Sequence, residues 1–303
     1  MSIPRRIVRF YACEDDSKSQ FDANASYYGV LDENQTAQVG ANVNLLNYGD
    51  IYDASSYKVS ATKKKIGKIL APIDVANIFC IGLNYKFHAS ESQMALPKNP
   101  VIFSKPTTSV CAHNEDIILP KSVIKGTDAN NPGECDYEVE LVIIIGKQCK
   151  NVSEQDALQY VFGYTVANDV SARQWQLDKE KSGGQWIRGK SFDTFCPLGP
   201  CVLLQAAANV DAQNLNLYCK LNGKTVQNSN TKEMIFGITK LVSFISQSTT
   251  LLPGTIILSG TPDGVGFARK PPLWLKNGDN VVVGVEGIGE LVNDVKDEYN
   301  NKL

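Results

Sequence analysis

Two glutamates, Glu138 and Glu140, open the run Asp136-Tyr137-Glu138-Val139-Glu140-Leu141-Val142-Ile143-Ile144-Ile145-Gly146. Its β-branched, apolar end predicts a strand. Beyond Glu140 both parities are apolar, so the strand is expected to be buried on both faces. Residues two apart on a strand share a face, which sets the two carboxylates side by side, roughly 7 Å apart at about 3.3 Å per residue. Like charges at the mouth of a buried strand are costly unless something positive compensates them. A hard divalent cation such as Mg²⁺ does this through carboxylate oxygens. The bland alternative is a solvated strand end carrying two surface glutamates.

A third carboxylate, Asp169, follows the apolar stretch 161–168 at the point where the chain turns polar. It is a natural third ligand, completing an all-oxygen set with room for water and a chelating substrate. The competing reading is an Asx-turn or the N-cap of the segment 170–176. His88 and Glu91 stand three apart after Asn84. If Asn84 caps a helix, they share a face, and Glu91 can orient the His88 imidazole as a base. Lys190, in Arg188-Gly189-Lys190-Ser191-Phe192-Asp193, is suited to an anionic group or a developing enolate, or pairs with Asp193. The turn Gly260-Thr261-Pro262-Asp263-Gly264-Val265-Gly266 can offer backbone N–H groups to anions. It has no phosphate-loop lysine, which weakens a nucleotide reading.

The elements that would position these residues form an α+β pattern, rich in strands and without regular βαβ repetition. Strands are expected at 6–11, 27–31, 76–82, 101–104, 161–167, 255–259 and 280–285, with the first two forming a hairpin. A loop is expected from Glu14 to Ser26, and a short helix or connector in the lysine-rich stretch 61–70. Helices are expected at 153–160, capped by Ser153, and at 232–248. A boundary near residue 72 divides a small N-terminal domain, 1–72, from a larger domain, 73–303.

The net charge of −2 gives no case for nucleic-acid binding, and no apolar run approaches the roughly 20 residues of a membrane helix. The N-terminus has no apolar signal region, and the acidic residues after Cys13 disfavour a mitochondrial presequence without excluding it, so a cytoplasmic protein is expected. Eight scattered cysteines without a Cys-x-x-Cys read as reduced thiols. Two histidines, His88 and His113, make a histidine-rich zinc site a poor expectation.

Taken in order, Ile81-Gly82-Leu83-Asn84-Tyr85 with His88 and Glu91, Asp136 to Leu141, Asn168-Asp169-Val170-Ser171-Ala172-Arg173, Gly189 to Asp193, Leu221-Asn222-Gly223 and Gly260-Thr261-Pro262 resemble the fumarylacetoacetate hydrolase family over about residues 75–295. The resemblance implies a mixed, barrel-like β-roll behind a small N-terminal domain, in a homodimer. It implies Mg²⁺ or Mn²⁺ on Glu138, Glu140 and Asp169, and an acid–base dyad of His88 and Glu91 on a mobile lid. It implies substrate contacts from Lys190, Arg173, Gln176 and Thr261. Gln185-Trp186, Ser191 to Pro200 and Val226-Gln227 are similar to one eukaryotic subgroup of the family, associated with oxaloacetate keto–enol tautomerisation. Gln174 and Thr255 depart from the family pattern, at positions that are not ligands.

The expected function is therefore metal-dependent enolate chemistry on a small 2-oxo acid, first of all oxaloacetate tautomerisation. The alternatives are a C–C bond hydrolase of the acylpyruvase type, an oxaloacetate decarboxylase and, remotely, a non-catalytic metal-binding protein.

Overall fold

In the computed structural model, residues 3–13, 21–92, 94–124, 133–207 and 210–298 are described. The strand Val139–Ile145 is central and every residue in it is buried. Val139, Leu141, Ile143 and Ile145 enter the larger of two apolar cores, while Val142 and Ile144 enter the smaller. Alternation thus feeds two cores from one strand, and each buried aliphatic side chain contributes about 1.5–3 kcal/mol. Val161–Asn168 pairs with one edge of the strand and Ile256–Leu258 with the other, both antiparallel.

These strands belong to a large mixed sheet, which continues through Ile78–Gly82 to Val101–Ser104 on one side and through Cys196–Leu204 on the other. A second sheet of five strands holds Asn216–Leu221, Asn280–Val285 and Gly289–Asp297. Its Leu217, Cys219, Val283 and Leu291 share the larger core with Leu141 and Val166. The helices are few and short, and the fold is sheet-dominated as expected.

The N-terminal strands Arg6–Cys13, Phe21–Leu31, Asn42–Asn47 and Lys58–Ile69 pair in a closed circuit. Arg6 and Ile7 also pair with Leu203 and Val202, which joins this circuit to the large sheet.

Several expectations need correction. The lysine-rich stretch is neither helix nor connector but the strand Lys58–Ile69. Its lysines lie toward solvent while Ile66 and Ile69 enter the core, so pairing with two neighbours overrides residue preference. The loop expected from Glu14 to Ser26 falls partly outside the described residues, and its end is already strand from Phe21. Helix 232–248 shortens to Ile238–Ile245. The chain before it begins as a separate 3-10 turn, Thr231–Glu233, and then leaves helical geometry, with Met234 bridged to Tyr85 and the Ile235 N–H donating to the Asn84 carbonyl. Ser153 caps a turn through the Asp156 N–H, and only a 3-10 turn, Ala157–Tyr160, follows.

Candidate functional site

Strand register delivers the three carboxylates. Val139 pairs with Asn168, so the next residue, Asp169, comes level with Glu138 and donates its N–H to the Glu138 carbonyl at 2.8 Å. The Asn168 side chain returns the tie by accepting the Glu138 N–H at 2.9 Å. One oxygen from each of Glu138, Glu140 and Asp169 then lies within 4.8 Å of the others, all in buried residues.

Burying this much charge requires compensation. Lys190 Nζ donates to Glu138 and Asp169, at 2.6 Å each. Lys105 Nζ donates to the other Asp169 oxygen at 2.5 Å. Arg173 donates to Glu138 at 2.5 Å, twice to Asp136 and once to Gln176. Three cations thus meet four carboxylates, and among the described residues the one without a cationic partner is Glu140, which accepts the Gly260 N–H at 2.6 Å.

The ionisation equilibria divide accordingly. Burial opposes the charge on Glu138, but Arg173 and Lys190 outweigh it and hold the carboxyl well below its usual range. Glu140 is pushed well above that range by burial and by the charges of Asp169 and Glu138. A buried carboxylate lacking one positive partner, next to two more hard oxygens, fits a divalent cation such as Mg²⁺.

The glycine-rich turn does bind anions, and they are the protein's own. Gly260 serves Glu140, Gly264 serves Glu91 at 2.9 Å, and Gly266 and Phe267 serve Asp136. Gly260 and Gly264 have φ of 97° and 95°, a region that favours glycine. His88 and Glu91, on the helix Lys86–Glu91, meet at 2.8 Å between Nδ1 and Oε1. Asn84 does not cap that helix, because Tyr85 holds the cap position. The Asn84 side chain is buried instead, bonding the backbone of Phe236 and Ser259 and so fixing the helix start to the glycine turn.

A cleft of about 170 Å³ is lined by His88, Glu138, Glu140, Asp169, Arg173, Gln176, Lys190 and Thr261. Glu91 stands behind His88. The Thr261 hydroxyl donates to the Val139 carbonyl and accepts from Gln227. Gln174, at a position of departure from the family pattern, accepts from Lys181. Sequence reasoning missed Lys105 and the clamping role of Asp136. Lys105 had a signal, since it directly follows the strand Val101–Ser104 as Asp169 follows its own strand. No helix among the described residues is long and apolar enough to cross a membrane.

Residues 77–296 match the profile of the fumarylacetoacetate (FAA) hydrolase C-terminal family. The chain is 53% identical over 237 residues to a fumarylacetoacetate hydrolase domain-containing protein 2 homolog of Dictyostelium discoideum, covering 76% of this chain and 74% of that one. It is 44% identical over 227 residues to a mitochondrial oxaloacetate tautomerase of Rattus norvegicus, covering 75% and 68%. The fold is similar to the crystal structure of a 2-hydroxyhepta-2,4-diene-1,7-dioate isomerase from Mycobacterium marinum, with a TM-score of 0.76 and 32% identity over 97% of this chain and 99% of that one.

Proposed function

The chain belongs to the fumarylacetoacetate hydrolase family, as an enzyme of the isomerase or hydrolase kind, and from that premise we propose that it carries out Mg²⁺-dependent enolate chemistry on a small 2-oxo acid, foremost the keto–enol tautomerisation of oxaloacetate. The observation that carries this reading is the buried triad with an uncompensated Glu140, opening into the same cleft as His88. Glu138, Glu140 and Asp169 would hold the cation, Mg²⁺ or Mn²⁺, whose Lewis acidity polarises a chelating 2-oxo acid and steadies its enolate.

The remaining work falls to side chains. His88 moves the proton at C3 of the substrate, which contributes about 10²–10⁴-fold. Glu91, fixed by the Gly264 N–H, holds the imidazole in orientation. Lys190, buried between two carboxylates, brings positive charge to the developing enolate oxygen or the distal carboxylate. Arg173, with Gln176, sets the orientation of Glu138 and borders the substrate, as does Thr261. The same reading takes residues 1–72 as a small N-terminal domain, 73–303 as the catalytic domain and the working form as a homodimer. The compartment, cytoplasm or the mitochondrion of the rat relative's name, is decided by fractionation.

The test is the ultraviolet decay of enol-oxaloacetate with purified enzyme, in Mg²⁺ and in EDTA, with pyruvate assayed in parallel. Fast, Mg²⁺-dependent decay without pyruvate is expected. Decay that tracks pyruvate would instead make it a decarboxylase, and no decay would turn the search to C–C bond hydrolysis of acylpyruvates.

A further inference from the structure

The cleft is divided by polarity. Its charged groups gather on the floor, and beside them an apolar wall of Trp186, Phe103, Met94, Leu177 and Phe267 lines the cleft, with the Phe103 ring 5.1 Å from Lys190 Nζ. Met94, Leu177 and Phe267 are 49%, 49% and 45% exposed, so large apolar side chains ring the opening. Exposed apolar groups gathered around a concave site mark a surface that receives a ligand.

Trp186 is built into this wall. A Cβ at Gly82 would come within 2.3 Å of its indole, so the glycine at the strand end lets the ring lie against the backbone. Phe103 meets the same ring edge-on, with centroids 5.7 Å apart. Oxaloacetate has no apolar group to set against this wall. The distal carboxylate of that acid is one carbon beyond C3 and stays within reach of the floor. Nor does the wall offer a charge to a longer acid. The cations Arg173 and Lys190 sit on the floor against Glu138, and the side chains of the wall, Trp186, Phe103, Met94, Leu177 and Phe267, carry no charge.

We propose that the cleft also accepts 2-oxo acids whose C3 carries an apolar or aromatic group, and that Trp186 determines this specificity. This rests on the enolate reading above. The head of the acid would occupy the floor and the C3 substituent would lie along Trp186 and Phe103. In the reaction a C3–H bond breaks and an O–H bond forms on the C2 oxygen, with the proton carried by His88. Nothing is oxidised or reduced.

The probe is phenylpyruvate. Its keto–enol exchange and that of oxaloacetate are followed by ultraviolet absorbance with Mg²⁺-loaded enzyme, for the wild type, Trp186→Ala and Trp186→Phe. The wild type accelerates both. Trp186→Ala lowers kcat/KM for phenylpyruvate about tenfold or more beyond its effect on oxaloacetate, chiefly through KM, as expected when an apolar contact is lost. Trp186→Phe restores most of that ratio. Exchange of oxaloacetate but not phenylpyruvate overturns the inference and leaves the oxaloacetate reading standing. Exchange of phenylpyruvate but not oxaloacetate does the reverse. No exchange of either overturns both, and an equal loss on the two substrates in Trp186→Ala removes Trp186 as the determinant.

Discussion

Lysines gather in two regions of this molecule, with opposite consequences. On the strand Lys58–Ile69, Lys68 meets Glu115 at 2.7 Å, with side chains 35% and 37% exposed. On the cleft floor, Lys190 meets Glu138 and Asp169 at 2.6 Å, with its side chain 2% exposed. The distances are nearly the same and the energetics are not. A solvated pair contributes about 0–1 kcal/mol, whereas removing one partner of a buried pair costs about 3–5 kcal/mol. Contact distance alone therefore does not mark a functional charge. Burial together with an incomplete set of partners does, and Glu140 is where the set is incomplete.

That contrast can be broken first at His88. His88→Ala should lower kcat by about 10²–10⁴-fold while leaving Mg²⁺ affinity within a few-fold. Steady-state kinetics with a metal titration check it, and an unchanged kcat removes His88 from the mechanism. Next comes Lys105, which the floor needs as a partner for Asp169. Lys105→Met should alter metal affinity or activity by about 10–100-fold, as outer partners of metal ligands do. Lys63→Ala, on the exposed strand, should change stability by less than about 0.5 kcal/mol and leave metal binding alone. Equal effects from the two lysines would erase the distinction between the regions.

A smaller effect sharpens the contrast outside the cleft. His113 is buried, accepts the Val292 N–H on Nδ1, and is held down to about 4 by that burial. The unfolded chain protonates it near 6.5, so the unfolded state takes up the proton first as pH falls. Its neutral form therefore contributes fully above about pH 6.5, and roughly 2–3 kcal/mol is lost as pH drops toward 4. Denaturant melts across that window should show the decline, and His113→Gln should flatten it. A pH-independent difference between the two proteins would contradict the assignment.

How much of this was legible in the sequence depended on how local the determinant was. The doubly buried strand was readable because alternation within a few residues encodes it, and so were the carboxylates at its mouth. Six motifs in order carried the family resemblance. What escaped was set by distant partners. The strand Lys58–Ile69 takes its form from neighbours on both edges, which a lysine-rich composition conceals. Asn84 resembled a helix cap because its partners, Phe236 and Ser259, lie more than 150 residues away. Lys105 reaches Asp169 across 64 residues, and its place just after the strand Val101–Ser104 is the one local hint of it.

The central claim is that Glu140 completes a site for a divalent cation. Calorimetric titration of metal-stripped enzyme with Mg²⁺, for the wild type and for Glu140→Gln, tests it most directly. One Mg²⁺ bound per chain by the wild type, and none by a variant that retains its circular dichroism and cooperative melt, is the predicted result. Undiminished binding in Glu140→Gln, or no binding by the wild type, would contradict the account.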